Sequence, residues 1–160
     1  MNIISASPAH HDAIWNIFHE VITAGDSYAF DPAMPRAEAL GFWLAKNNHV
    51  YVAMDGDQVA GSYFLKPNQL GPGSHVANAG YMVSGQFRKA GIGAAMCAHS
   101  LEEARRLGFT AMQFNMVIST NASAVSLWKK HGFQIVGTLP GVFRHKTLGF
   151  VDAYVMHRHL

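Results

Sequence analysis

Residues 86–96, QFRKAGIGAAM, follow an apolar segment, HVANAGYMVS (75–84), and open an alanine-rich amphipathic stretch. The apolar segment reads as a strand and the stretch beyond it as a helix. Gly91 and Gly93 stand one residue apart where the two meet. Glycine at such a junction lets the backbone turn so that successive N–H groups converge with no side chain in the way. The helix adds unpaired amides and the positive end of its dipole. Arg88 and Lys89 add formal charge. The stretch predicts an anion site, and a pyrophosphate is its natural occupant.

The spacing decides which phosphate compound fits. A dinucleotide fingerprint ends in Gly or Ala where this chain has Met96, and it wants an acidic residue about 20 positions on. No Asp or Glu occurs between Glu103 and Asp152. A P-loop ends in Gly-Lys-Ser/Thr, which is absent. What remains, Arg88-x-x-Gly91-x-Gly93, resembles the [QR]-x-x-G-x-[GA] loop of the GNAT superfamily of N-acetyltransferases. In that family the loop binds the pyrophosphate of acetyl-coenzyme A. Residues 121–133, NASAVSLWKKHGF, carry a second resemblance. Asn121, Ala124, Leu127, Lys130, Gly132 and Phe133 fall in register with the family's N-x-x-A-x-x-L-Y-x-K-x-G-F pattern. The segment also makes local sense, with Asn121 as N-cap, Ala124, Leu127 and Trp128 at helical spacing, and Gly132 suited to a left-handed C-terminus.

The chain has 160 residues, is 49% hydrophobic and 14% charged, and carries a formal net charge of +2. Such a length predicts one domain over residues 1–160 with a continuous core, and the resemblance implies that it is an N-acetyltransferase domain. The charge is too small and too scattered for nucleic acid. Ten histidines, including His10-His11 and His157-Arg158-His159, lack zinc-site spacing, so no metal is expected. No apolar run reaches the roughly 20 residues of a membrane span. The N-terminal MNIISASPAHHDA lacks a signal peptide's basic and apolar regions. Lone Cys97 cannot form an internal disulfide, and the cytoplasm is the expected compartment.

Outward from the two motifs, the remaining elements follow from periodicity. Met1–Ala6 reads as a strand, and Ser7-Pro8 opens a helix with Ile14, Ile17, Phe18, Val21 and Ile22 on its apolar stripe. An aromatic loop follows, Gly25 to Pro32, and then a second helix over Arg36–Lys46. HVYVAMD (49–55) and QVAGSYFLK (58–66) form a hairpin through Asp55-Gly56-Asp57. The central helix runs from Gly91 to Gly108, with Glu102 and Arg106 spaced to pair. Strands are expected at 111–117, 133–139 and 150–160, with the motif helix at 121–131. The order is β-α-α-β-β-β-α-β-α-β-β. The resemblance implies an α/β fold, a mixed and mostly antiparallel GNAT-like sheet, splayed where the pantetheine arm enters.

Acetyl transfer to an amine needs a bound thioester, a neutral nitrogen, donors for the developing oxyanion and a proton for the departing thiolate. The resemblance assigns the pyrophosphate to the amides of Arg88, Lys89, Ala90, Gly91, Ile92, Gly93 and Ala94. It assigns backbone groups of Met82 and Val83 to the pantetheine and acetyl carbonyl, and Asn121 to the cofactor arm. Many relatives have tyrosine as thiolate acid where this chain has Trp128, whose indole N–H is no acid near neutral pH. Tyr81, Tyr154, Ser123 and water are the surrogates. The segment 75–84 has no carboxylate, so Glu20, Asp26, His75, Asn78 and Tyr81 are the candidates for proton handling. Asn78 and Asn115, polar within apolar strands, either contact the acceptor or satisfy the backbone. Cys97 lies on the apolar stripe of the central helix and reads as core.

The loop GDSYAFDP and the tail GTLPGVFRHKTLGFVDAYVM resemble GNAT enzymes that acetylate phosphinothricin and amino-acid analogues. On that likeness Tyr28, Phe30, Arg36, Asn115 and His145 are expected at the acceptor, a small-molecule amine. A homodimer is expected as in much of the family, with acetyl-coenzyme A as co-substrate and neither nucleic acid nor membrane as partner. A peptide or protein N-acetyltransferase and a non-catalytic acyl-coenzyme A sensor are the competing readings.

Overall fold

Two apolar runs separated by a two-residue turn form the first hairpin. Asp55 pairs with Gln58, and Gly56, with φ +58°, occupies the turn. The computed structural model describes residues 1–160. Its strands are β1 (Asn2–Ser5), β2 (His49–Asp55), β3 (Gln58–Pro67), β4 (Val76–Val83), β5 (Ala111–Ile118), β6 (Gln134–His145) and β7 (Gly149–His159). Its helices are α1 (His11–Ala24), α2 (Arg36–Trp43), α3 (Ile92–Arg106) and α4 (Ala122–Lys130). The expected order of elements is the observed one.

The strands make one sheet in the order β1-β2-β3-β4-β5-β7-β6. Every neighbouring pair is antiparallel except β4–β5. That parallel pair has only two rungs, Val76 to Ala111 and Ala77 to Met112, before the strands part. The expected splay is there.

Strand alternation gives the sheet two apolar faces. Tyr63 and Leu65 face α3 and α4, packing with Met96, Cys97, Leu101, Trp128, Phe114 and Phe133. Phe64, between them in sequence, faces α1 and α2 and packs with Ile14, Phe18, Ile22, Trp43 and Met82. A polar link through the second core is closed. The Trp43 indole donates to Ser62 Oγ at 3.0 Å, and that hydroxyl donates to Tyr51 O at 2.9 Å.

Three expectations need correction. Helix α2 stops at Trp43, short of Lys46, because Asn48 Nδ2 donates to the carbonyls of Phe42 and Trp43 and caps them. Strand β6 continues to His145, six residues past the expected end at 139. Pro140 has no N–H to donate, but β6 is the sheet's edge, where a missing N–H costs no ladder bond. The pairing with β7 is irregular between Leu139 and Phe143, and Asp152 Oδ1 accepts from Gly141 N–H at 2.8 Å. On α3, Arg106 pairs with Glu103 instead of Glu102, since Glu103 also receives the Tyr51 hydroxyl.

Candidate active site

The turn between β4 and α3 has an unusual density of unpaired donors. Arg88 N–H donates to Gly85 O and Ala90 N–H to Phe87 O, and the first bond of α3 runs from Ala95 N–H to Gly91 O. The amides of Lys89, Gly91, Ile92, Gly93 and Ala94 have no acceptor in the protein. Lys89 at φ +66° and Gly91 at φ +79° both sit in the left-handed region. Alternation of left- and right-handed residues turns consecutive amides to one side, as in an anion-binding nest. A Cβ at Gly91 would meet nothing within 4 Å, so the space above the turn is open. The cradle fits a pyrophosphate. Five of the seven amides expected there are free, and those of Arg88 and Ala90 belong to the turn itself.

Alongside this cradle, β4 has a free edge. Ser84 N–H donates to Ala60 O on β3, so by alternation the backbone groups of Met82, Gly80 and Asn78 also point at β3. Those of Tyr81 and Val83 point into the splay. Met82 was expected to offer its backbone to the cofactor, but its groups lie in the β3 ladder and its side chain in the α1 face. Val83 keeps the expected orientation. At the mouth of the splay, Asn78 Nδ2 donates to Gln113 O at 3.0 Å, one residue past the last β4–β5 rung.

The other expected site residues are placed by long-range contacts. Glu20 at the end of α1 accepts from Gly85 N–H with both carboxylate oxygens, at 3.0 and 3.2 Å. It steadies the turn that leads into the cradle. A Cβ at Gly85 would lie 2.1 Å from Glu20 Oε1, so only glycine permits that approach. The Tyr81 ring lies on the α3 side, its hydroxyl 2.6 Å from Ser100 Oγ. Burial holds that phenol well above its ordinary range, so it keeps its proton. Trp128 is buried against Tyr81, Phe114 and Phe133 with ring centroids 4.9, 4.8 and 6.3 Å away. Burial pushes the Cys97 thiol up to about 12, which leaves it an inert core residue.

Around the acceptor side, Tyr28 stacks on Phe30 at 5.7 Å, and Phe30 in turn packs on Phe18 and Phe42. Lys146 N–H, in the β6–β7 turn, donates to Gly25 O at 3.0 Å, joining that turn to the end of α1. Arg36 is paired with Asp12. Asn115 Nδ2 donates to Asn68 Oδ1 at 2.8 Å, and Asn115 Oδ1 accepts from Gln113 Nε2 at 3.0 Å. His145 Nδ1 accepts from the amides of Thr147 and Leu148, both at 3.2 Å. Asn121 Oδ1 caps α4 by accepting from Ala124 N–H at 3.2 Å and also receives Ser123 Oγ at 3.1 Å. The partnership of Glu20 with Gly85, and that of Tyr81 with Ser100, had no local sequence signal.

The sequence pattern of the Acetyltransferase (GNAT) family matches residues 12–133, a span that includes both the cradle and the α4 motif. This chain belongs to the GNAT acetyltransferase family. A GCN5-related N-acetyltransferase from Kribbella flavida superposes with TM-score 0.96 at 41% identity, covering 99% of this chain and 97% of that one. The N-acetyltransferase aca1 of Schizosaccharomyces pombe is 30% identical over 155 residues, 86% of this chain and 74% of that protein. The L-amino acid N-acetyltransferase AaaT of Escherichia coli is 30% identical over 106 residues, 66% of this chain and 64% of that protein. A phosphinothricin acetyltransferase from Sinorhizobium meliloti shares the GNAT fold at TM-score 0.87 and 20% identity, covering 99% of this chain and 88% of that one, a likeness of fold alone. The chain is an N-acetyltransferase, and acetyl-coenzyme A is its co-substrate.

Proposed function

We propose that this enzyme acetylates the amine of a small amino acid or amino-acid analogue, by direct attack within a ternary complex. The observation that carries this reading is the tie between the 25–32 loop and the β6–β7 turn. The Lys146–Gly25 bond joins the two, and the stacked rings of Tyr28 and Phe30 pack the loop onto Phe18 of α1. A joined wall fits a compact acceptor better than an extended peptide. The name of its relative AaaT supports the same acceptor class.

In this reading the free amides of Lys89, Gly91, Ile92, Gly93 and Ala94 hold the pyrophosphate, with Arg88 adding charge. Val83 N–H and C=O serve the pantetheine and the acetyl carbonyl, and Asn121 Nδ2 is a further donor to that arm. The neutral acceptor nitrogen bonds to the thioester carbon, the carbon–sulfur bond breaks with its electron pair on sulfur, the nitrogen gives up a proton to solvent as the amide forms, and the departing thiolate takes one up from solvent. Glu20 holds the Gly85 turn and Asn78 holds Gln113, so the acceptor's ammonium proton goes to solvent before attack. Arg36 is tied to Asp12 in the first turn of α1, at the other end of that helix from Gly25, and takes no acceptor role in this reading, while His145 shapes the β6–β7 turn.

Residues 1–160 act as a single domain in this reading, supported by the one continuous sheet from Asn2 to His159. The cytoplasm suits the lone thiol of Cys97, and no helix is long and apolar enough to cross a membrane. Exposed Val136, Val142, Leu148 and Phe150 on the edge hairpin β6–β7 support a homodimer, which light scattering would register as twice the chain mass. The acceptor reading is tested by coenzyme A release across amino acids, their analogues, peptides and polyamines. Small amino acids should turn over. Transfer to peptides alone would replace the acceptor class, and no turnover of any amine would favour an acyl-coenzyme A sensor.

A further inference from the structure

The free edge of β4 is unequally free. Val83 leaves its N–H and C=O to the splay, but Tyr81 does not. The hydroxyl of Tyr28, 53 residues away in the α1–α2 loop, donates to Tyr81 O at 2.8 Å and accepts from Tyr81 N–H at 2.8 Å. One phenol therefore satisfies both backbone groups that a neighbouring strand would otherwise pair. Burial raises the Tyr28 phenol above its ordinary range, so it keeps the proton it must donate. Gly80 leaves room for the arrangement: a Cβ there would sit 2.5 Å from Phe64 Cε1 and 3.3 Å from the Tyr28 hydroxyl.

We propose that Tyr28 is a positioning residue: its hydroxyl stands in for the missing β5 rung and fixes the β4 edge beside Val83. Sequence resemblance puts Tyr28 among the acceptor contacts, but its polar atom faces the strand that serves the thioester. The loop that walls the acceptor is thereby tied to the backbone that holds the acetyl group. Order in one becomes order in the other. The pyrophosphate cradle lies beyond this link, on α3 amides that Tyr28 does not touch. Losing the hydroxyl should therefore disturb chemistry more than cofactor binding. The proposal rests on acetyl transfer by this site and not on the identity of the acceptor.

Tyr28→Phe keeps the ring on Phe30 and removes only the hydroxyl. Amide hydrogen exchange should show Tyr81 N–H protected in the native protein and fast-exchanging in the variant. Gly80 and Met82, bonded to β3, should stay protected in both. With the best acceptor of the amino-acid panel, kcat should fall about tenfold to a hundredfold, the cost of a misplaced reacting group. Acetyl-coenzyme A affinity by calorimetry should stay within about threefold, since the cradle supplies most of the binding. Unchanged Tyr81 exchange, unchanged kcat, or a kcat loss matched by an equal loss of cofactor affinity would overturn the proposal. So would loss of protection at Gly80 and Met82, which would make the hydroxyl a support of the whole sheet. Should no acceptor turn over, the acceptor reading fails, while the exchange measurement still decides whether Tyr28 holds Tyr81.

Discussion

Gly93 and Trp128 carry the residue-scale consequences of this site. A Cβ at Gly93 would meet only Leu127 Cδ2, at 3.3 Å, the end of a flexible side chain. Gly93→Val should therefore fold, while its methyl groups crowd the amides assigned to the pyrophosphate. Acetyl-coenzyme A should bind at least about tenfold more weakly, roughly 1.4 kcal/mol, by calorimetry. Unchanged affinity in the folded variant would remove the cradle from the cofactor site. Trp128 stands where many relatives have an acidic tyrosine, and its indole packs in an aromatic cluster with Tyr81, Phe114 and Phe133. Trp128→Phe preserves an aromatic ring there, and most turnover should survive. A loss of about a hundredfold, the scale of a missing general acid, at normal cofactor affinity would give the indole a chemical role.

Helix α3 owes its place to an aromatic ladder in the sheet beneath it. Tyr51, Tyr63 and Tyr81 stand in register on β2, β3 and β4, with rings stacked at 4.9 and 5.6 Å. Each hydroxyl reaches α3: Tyr51 donates to Glu103 at 2.7 Å, Tyr63 meets His99 at 2.6 Å and Tyr81 meets Ser100 at 2.6 Å. Three fixed points along one helix set where its N-terminal amides sit, which is what the cradle requires. The Arg106 guanidinium and then the Tyr51 hydroxyl hold the Glu103 carboxyl down at about 2. A carboxyl whose folded value lies below its ordinary one binds fewer protons when folded. Its stabilisation is complete above the ordinary value of 4.5 and is lost as the pH falls toward 2. Thermal melts of the native protein should drop through that window, and Glu103→Gln should melt lower at neutral pH with a shallower acid slope. An identical acid slope in the variant would show that the network contributes nothing to stability.

For the whole molecule, the main consequence is that the site engages its nearby carboxylate elsewhere. With Glu20 on Gly85 and Asn78 on Gln113, kcat/KM for the acceptor should rise about tenfold per pH unit until the acceptor amine itself is deprotonated. Glu20→Gln should leave the shape of that profile alone, and disappearance of its acid limb would identify Glu20 as the base. The sequence by itself determined the order of elements, the Asp55-Gly56-Asp57 hairpin, the Asn121 cap and the paired glycines of the cradle. Each of these is set by backbone geometry and periodicity over a few residues, so a short window contains the whole cause. Only the tertiary structure decided that β4 and β5 share two rungs, that β6 runs on through Pro140 at an edge, and which partner each polar side chain takes. Glu20 meets Gly85 across 65 positions and Tyr28 meets Tyr81 across 53. A carboxylate or phenol can satisfy its hydrogen bonds with any suitably placed group, so its type announces a need and the packing of distant elements chooses what meets it.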